Sequence, residues 1–193
     1  MCGWYAGVSG LPLKIFSYIL DHAPGAIDVV LSYCHTTLYD STLEHLIPRL
    51  REQGIGIINA SPLGMGLLTN ASSPPDWHPA PAELKAGTVH EDIATIERAI
   101  LTRCPNQACK EAGQLCERNG ANLASIAVQY SVGFDVDTTL VGIQDSQQLR
   151  SNVDTVIRRA ELTTVHADLL KQIKAIFEPV QGTTWPSGRS INN

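Results

Sequence analysis

Four short apolar stretches, each rich in β-branched residues, are spaced along the chain. Three of them are nearly continuous in hydrophobicity instead of alternating between apolar and polar residues. That pattern is typical of strands buried on both faces, as in a parallel sheet. The sequence therefore predicts four buried strands. Their ranges are Tyr5–Val8, Ile27–Tyr33, Ile55–Ala60 and Thr138–Ile143.

Apolar residues at helical spacing lie between and after these strands. Ser41 and Glu44 form a capping-box pattern, and Gly54, which follows a basic turn, indicates a helix C-cap. The alternation of strand and helix predicts a parallel α/β fold. The order of the elements alone does not distinguish an open sheet from a barrel. The predicted helices are Leu13–Leu20, Ser41–Arg51, Ala108–Glu117, Leu123–Ser131, Ser146–Val156 and Val165–Phe177.

Three segments do not fit this alternation. Residues 71–82 (ASSPPDWHPAPA) are rich in proline and are predicted to form an extended loop. Residues 87–107 favour a helix over Glu91–Thr102 that is followed by a stop at Pro105. Residues 181–193 are polar and are predicted to be a C-terminal tail. One domain is therefore expected over residues 1–180.

The composition argues against several kinds of partner. With a net charge of −5, the chain has no basic stripe to neutralise nucleic-acid phosphates. No stretch approaches the ~20 apolar residues of a membrane helix, and residues 1–14 lack the pattern of a signal peptide. The five cysteines form no CxxC pair, so buried thiols are favoured over metal ligands, and no metal site is predicted. These features predict a protein of the reducing cytoplasm.

The most informative motif follows the third predicted strand. Residues 61–66 read SPLGMG, in which small residues let the backbone approach a ligand and the proline fixes the exit from the strand. In a parallel α/β fold, ligands bind at the carboxyl ends of the strands. A tight turn without a ligand is the alternative interpretation of this motif.

Ser-Pro-Leu-Gly-x-Gly after a buried strand resembles the seventh-strand signature of aldo-keto reductases. The resemblance extends from about residue 6 to 189 and includes GVSGLPLKIF, IDVVLSYCH, DSTLEHLIPRL, LASIAVQYS and LVGIQDSQQLRSNV. It implies the C-terminal half of a (β/α)8 TIM barrel, with about four parallel strands, flanking helices and an inserted segment at about 87–107. A complete barrel typically needs about 250 residues, whereas this chain has 193.

The resemblance also implies a site for a nicotinamide cofactor. Ser9 matches a serine that binds the nicotinamide carboxamide, and Tyr33 stands where many members have a glutamine that reaches the same amide. Ser61 and Leu63 match residues that contact the pyrophosphate, largely through backbone groups. Asn152 matches the asparagine that binds adenine. The chain is thus expected to hold much of the cofactor side of the barrel.

The same resemblance favours NAD over NADP as the cofactor. Family members that prefer NADP often carry basic residues where Gly142 and Gln148 stand, and neither is basic here, so a 2′-phosphate would lack a counter-charge. From the residues alone, without the resemblance, Gln148 and Asn152 are better interpreted as solvated positions on one helix face. The predicted cofactor-binding residues are Ser9, Tyr33, Ser61, Leu63, Gly142, Ile143, Gln144, Gln148 and Asn152.

The family's catalytic aspartate, tyrosine, lysine and histidine come from the first four strands of its barrel. The resemblance therefore implies that this chain holds none of them. His35 and His78 are candidates for the substrate mouth. The implied activity is that of an NAD-dependent oxidoreductase acting on a small-molecule sugar, in a truncated chain that is inactive alone. The alternatives are a half-barrel that binds a nucleotide or a partner without catalysis, self-association through exposed half-barrel edges, and a non-functional fragment.

Overall fold

Four parallel strands form one sheet, in the same order in which they occur along the chain. In this computed structural model, residues 4–70 and 105–182 are described. The sequential order is typical of a segment of a (β/α)8 barrel, since a doubly wound open sheet reverses its order at a switch point. The strands are β1 (Gly7–Gly10), β2 (Val29–Tyr33), β3 (Gly56–Ala60) and β4 (Thr138–Leu140).

Helices connect and follow these strands. The helices are α1 (Lys14–His22), α2 (Ile47–Glu52), α3 (Pro105–Arg118), α4 (Leu123–Ser131), α5 (Ser146–Ile157), α6 (Arg159–Val165) and α7 (Ala167–Phe177). Short 3-10 turns lie at Thr42–His45, Gly64–Gly66 and Glu178–Val180. The predicted parallel α/β fold is confirmed.

Several predicted boundaries differ from the structure: β2 begins two residues later than predicted, β4 ends three residues earlier, and α3 begins three residues earlier. The first strand lies at Gly7–Gly10, two residues later than predicted, because Ala6 donates its N–H to the Asp28 side chain and the ladder with β2 starts only after it. The predicted capping box is wrong, since the Ser41 side chain makes no capping hydrogen bond. Asp40 accepts the Thr42 N–H instead, at 2.9 Å, and the regular helix α2 begins only at Ile47. Gly54 ends the turn after α2 with a positive φ of 68°, as predicted for a C-cap.

Two clusters of buried side chains hold the elements together. The first lies between one face of the sheet and helices α1 and α2, and Phe16, Val30, Leu50 and Ile57 are completely buried in it. Burying each such side chain stabilises the fold by about 1.5–3 kcal/mol. The second cluster packs α3, α4 and α7 against the segments that follow β2 and β3. Its fully buried members include Leu68, Ala112, Cys116, Leu123, Ile173 and Phe177.

The C-terminal end of α7 is tied to the segment after β2. Gln181 donates its side-chain amide to the Leu38 carbonyl at 2.8 Å, and the Gly182 N–H donates to the Tyr39 carbonyl at the same distance. The Tyr39 ring meets the Phe177 ring at a centroid separation of 6.2 Å. These contacts fix the backbone at the carboxyl end of β2, close to the end of β3.

The outer strands of the sheet are β1 and β4, and neither has a second neighbour within residues 4–70 and 105–182. Leu140 on β4 is 45% exposed, and apolar residues of α5, including Leu149 and Val153, are also exposed. These are the half-barrel edges through which self-association is expected, and that expectation stays a prediction.

Some of the remaining sequence predictions concern residues that the structure describes, and others concern residues outside that range. Cys34, Cys109 and Cys116 are buried and form no disulfide, as expected of structural thiols, while Cys2 and Cys104 lie outside the described residues. Three other predictions concern residues that lie wholly or almost wholly outside the described ranges. They are the helix Glu91–Thr102, the inserted segment 87–107 and the C-terminal tail. In the described ranges, no helix is long and apolar enough to cross a membrane, and no group of three His, Cys, Asp or Glu could hold a metal ion.

Candidate cofactor site

A cleft of about 770 Å³ opens at the carboxyl ends of β3 and β4. Its walls are the segment after β3, the start of α4, and the loop from β4 into α5. Seven of the nine predicted cofactor-binding residues line it, although they come from two segments about eighty positions apart in sequence. Those seven are Ser61, Leu63, Gly142, Ile143, Gln144, Gln148 and Asn152.

The wall after β3 owes its shape to a sharp turn. Ser61 has a positive φ of 58°, and Met65 one of 57°, in the left-handed region that non-glycine residues rarely occupy. The Ser61 carbonyl accepts the Gly64 N–H at 2.9 Å, and the Leu63 carbonyl accepts the Leu68 N–H at 3.0 Å. The SPLGMG motif therefore folds back on itself and presents backbone to the cleft.

Cys34, which follows β2, has the same backbone conformation and the same kind of backbone hydrogen bond as Ser61, which follows β3. Cys34 also has a positive φ, of 66°, and its N–H donates to the Ala60 carbonyl at 3.0 Å, while the Ser61 N–H donates to the Leu140 carbonyl at 3.2 Å. Burial raises the pKa of the Cys34 thiol to about 12, despite its hydrogen bond with the Ser61 side chain. Because the Ser61 hydroxyl is engaged with this neutral thiol, Ser61 offers the cleft mainly its backbone.

Two side-chain hydrogen bonds order the opposite wall. Asp145 caps α5, and its carboxylate accepts the Gln148 N–H at 2.8 Å. The Gln148 side-chain carbonyl in turn accepts the Gln144 N–H at 3.0 Å. The Gln148 side chain is thus folded back to hold the loop, so it positions the backbone of residues 144–148 as well as lining the cleft.

The charge of this cleft is unusual for a site expected to bind phosphates. Among the lining residues that the structure describes, Asp145 carries the sole charge, and none is lysine or arginine. Favourable interactions with an anion would come from backbone N–H groups and from the N-terminus of the 12-residue helix α5. An added phosphate group would meet no cationic side chain here.

Ser9 and Tyr33 do not line the cleft. Ser9 is exposed on β1, and Tyr33 is half-buried at the end of β2, where burial, followed by the nearby Cys34, raises its pKa. The register pairs Ser9 with Leu31 and Tyr33 with Ala60, so both lie on the face of the sheet opposite the α1–α2 cluster. Their predicted contacts with nicotinamide stay predictions.

The structure gives His35 a different role from the one expected. Its side chain is buried, Nδ1 lies 2.8 Å from Asp40 Oδ2, and Nε2 lies 2.5 Å from the Leu11 carbonyl oxygen. Both partners accept hydrogen bonds, so the doubly protonated ring satisfies both. His35 therefore braces the segment after β2 against the loop after β1 and presents neither ring nitrogen to a substrate. The other mouth candidate, His78, lies outside the described residues.

Several cleft residues were absent from the predicted set. Asn122 caps α4 by accepting the Ser125 N–H at 3.1 Å, and both residues line the cleft together with Asp145, Met65 and Ser151. The signal that could have found Asp145 is the pattern Asp-x-x-Gln before a helical run, which is characteristic of a helix N-terminus.

Comparisons with known proteins agree with this geometry. The model of the aldo/keto reductase family matches residues 4–175. The chain is 40% identical over 186 residues to L-galactose dehydrogenase of Arabidopsis thaliana, a match that covers 95% of this chain and 51% of that protein. The chain thus spans about half the length of this relative.

Solved structures show the same fold. The aldo-keto reductase AKR11C1 from Bacillus halodurans matches in its holo form with a TM-score of 0.57 and 18% identity, over 96% of this chain and 53% of that one. Its apo form matches with a TM-score of 0.54 and 17% identity, over 96% and 54%. The four-stranded sheet with its helices therefore corresponds to about half of such a barrel.

Proposed function

This chain belongs to the aldo/keto reductase family, and on that premise we propose that the cleft after β3 and β4 binds the adenosine and pyrophosphate part of NAD. The single observation that carries the proposal is that one cleft gathers seven residues selected by sequence resemblance alone. They lie at the carboxyl ends of parallel strands, where this type of fold places its ligands.

The cleft is suited to a dinucleotide in size and in chemistry. Its volume of about 770 Å³ lies within the range of about 300–1,000 Å³ for small-molecule sites. The backbone of residues 61–66 and the N-terminus of α5 would hold the pyrophosphate. Asn152 and Gln147 would hold the adenosine end through their side-chain amides. When bound, the nicotinamide of the cofactor supplies hydride transfer.

NAD is the cofactor that this lining favours. The 2′-phosphate of NADP needs a cationic partner, preferably arginine or lysine, and the described walls of the cleft contain neither. A ribose with a free 2′-hydroxyl needs only a hydrogen-bond acceptor or donor. Buried cysteines that form no disulfide, at Cys34, Cys109 and Cys116, further favour a reducing compartment such as the cytoplasm.

The substrate proposal rests on the 40% identical relative. It is the oxidation of L-galactose at its anomeric carbon to the 1,4-lactone, for which bound NAD would supply the hydride acceptor and a general base would be needed to accept the hydroxyl proton. Among the described residues that line the cleft there is no tyrosine, lysine or histidine, and the one carboxylate, that of Asp145, caps helix α5. The proposed role of this chain is therefore to hold the cofactor, and the isolated chain is proposed to be inactive.

Filling the cleft tests this proposal. A Cβ built on Gly142 meets nothing within 4 Å, so Gly142→Trp should fold normally while its ring occupies the cleft. Isothermal titration with NAD should show binding to the wild-type chain and at least about tenfold weaker binding to Gly142→Trp, a loss of about 1.4 kcal/mol.

The control for added bulk is Val153→Trp. Val153 is exposed on α5, the helix that follows the loop of Gly142, and does not line the cleft, so its substitution should leave the NAD affinity unchanged. Equal affinities for the wild-type and Gly142→Trp chains would place the dinucleotide elsewhere and would contradict the proposal.

A further inference from the structure

The two ends of the sheet are open strand edges. Among the described residues, β1 and β4 each pair with a strand on one side only. Edge strands are usually protected by lysine, by proline or by a bulge, whereas β1 reads GVSG and β4 reads TTL. We propose that two copies of this chain associate head to tail, with β4 of each copy pairing in parallel with β1 of the other, and that the pair closes an eight-stranded barrel.

The number and the order of the strands fit such a ring. All four strands are parallel, and they follow one another across the sheet in chain order. The chain corresponds to 53% of a solved aldo-keto reductase, so each copy spans about half of the circumference of an eight-stranded barrel. A head-to-tail contact that turns by half a circle per copy closes after two copies instead of growing into a filament.

The face of the sheet that is turned away from α1 and α2 supports the same partner. Leu31 on β2 and Ile58 on β3 are neighbours in the register and are half-buried, and neither packs in the two buried clusters described above. Val30 and Ile57, on the other face, are completely buried. Inside an eight-stranded barrel, side chains pack in layers of four that come from alternate strands. A second copy would supply two side chains to each layer and so cover Leu31 and Ile58.

Exposed apolar side chains accompany both open edges. On α5, which follows β4, Leu149, Val153 and Ile157 recur at every fourth position and are 46–76% exposed. Tyr5 directly before β1 and Tyr18 on α1 are also exposed. Pairing β4 of one copy with β1 of the other would bring α5 beside α1 of that copy, in the way that successive helices lie around a barrel. Both sets of apolar side chains would then leave water together.

The exposed area of the chain is of the size that a dimer would cover. A compact monomer of 20.9 kDa exposes about 9,000 Å², whereas this chain exposes 11,776 Å². The excess is about 2,800 Å² for each chain. Obligate dimers bury about 2,000–5,000 Å² over both chains, so one second copy is sufficient to cover such an excess.

Sedimentation equilibrium of the 193-residue chain and of two charged variants tests the proposal. The wild-type chain should have twice the monomer mass at micromolar concentrations. Tyr18→Glu and Ile157→Glu should each raise the dissociation constant of the dimer at least about tenfold, because each places a charge at both contacts of the ring. Tyr18 and Ile157 are 62% and 76% exposed, so both variants should fold, and a thermal melt of each checks this.

Val165→Glu is the matched control. Val165 is 67% exposed on α6, a helix that packs on α4, α5 and α7, and it belongs to neither set of apolar side chains at the edges. Its substitution adds the same charge and should leave the dissociation constant unchanged. Equal weakening of the dimer by Val165→Glu would overturn the proposal, because added charge anywhere on the chain would then explain the effect.

Mixing the two charged variants distinguishes head-to-tail pairing from other dimers. In a mixed pair, α5 of the Tyr18→Glu chain meets α1 of the Ile157→Glu chain, and neither surface is altered. One of the two contacts is restored, so the mixture should contain more dimer than either variant alone. A mixture with no more dimer than its components would overturn head-to-tail pairing.

The mass of the wild-type chain decides the outcome whether or not a variant folds. A monomer at concentrations up to millimolar, or a species larger than a dimer, would overturn the proposal. The described residues that line the cofactor cleft belong to a single copy. Failure of the chain to bind NAD would therefore contradict the proposed function and leave this proposal standing.

Discussion

Replacing Asp40 with alanine is expected to lower the free energy of unfolding by about 3–5 kcal/mol, because it leaves a buried charged partner unpaired. Asp40 is 2% exposed, and its carboxylate accepts from His35 Nδ1 at 2.8 Å, from the Thr42 N–H at 2.9 Å and from the Thr42 hydroxyl at 2.6 Å. Burial alone would lower the pKa of His35, but the hydrogen bond and charge of Asp40 outweigh it and raise that pKa.

The pH dependence of stability provides the control for this prediction. Burial would raise the pKa of Asp40, but the hydrogen bonds of His35 and Thr42 lower it overall. The Asp40 contribution is therefore present above its unfolded pKa of about 3.9 and is lost as the pH falls through its folded pKa. The His35 contribution is present below about 6.5 and is lost as the pH rises through its folded pKa. Both contributions are complete between about pH 4 and 6.5.

Urea unfolding of the wild-type, Asp40→Ala and Asp40→Asn chains at several pH values would measure these effects. Asparagine keeps the shape and can still accept from Thr42, so Asp40→Asn should cost less than Asp40→Ala, and both should flatten the pH profile. A cost below about 1 kcal/mol for Asp40→Ala at pH 6 would show that the pair does not hold the segment after β2, because that is the usual size of an exposed pair.

The second large effect is expected at Gly64, in the turn after β3. Gly64 has a positive φ of 55°, and a Cβ at this position would lie 2.2 Å from Tyr39 Oη and 2.9 Å from a ring carbon of the same residue. Tyr39 is 1% exposed and cannot move aside without disturbing Phe177. Gly64→Ala should therefore combine a left-handed backbone cost of about 1–2 kcal/mol with an overpacking cost of about 1–3 kcal/mol.

Gly120 provides a matched control for that substitution. Its φ is 64°, close to that of Gly64, but a Cβ there would meet nothing within 4 Å. Gly120→Ala should therefore show the backbone cost alone. The denaturant midpoints of the two variants, compared at constant slope, give the difference directly. Equal losses of stability in both variants would mean that the turn after β3 is not packed against Tyr39.

The sequence predicted the central strands well for a physical reason. The runs at Val29–Tyr33 and Gly56–Ala60 are nearly continuous in apolar, β-branched residues, because both strands have neighbours on each side. The first strand was predicted two residues early, since Tyr5 extends an apolar pattern that the ladder does not use. The helix after residue 41 was predicted to start too early, because a local capping pattern competed with the bonds from Asp40.

Seven of the residues that line the cleft could be named from the sequence, whereas the hydrogen bonds that order its walls could not. Gly142 and Gln148 could be assigned from their place in a motif. The Gln148 side chain holds the Gln144 N–H only because of the way in which the loop after β4 folds onto the first turn of α5. The burial of His35 likewise depends on Leu11, 24 residues away, whose carbonyl no sequence pattern selects.

Hydrogen–deuterium exchange of the 193-residue chain, with and without NAD, tests the central claim most directly. If the cleft holds the dinucleotide, amide exchange should slow in residues 61–66 and 142–148, which form two of its walls. Exchange in α2, which does not contact the cleft, should not change. Protection confined to segments other than these walls, or none at NAD concentrations up to millimolar, would contradict the account.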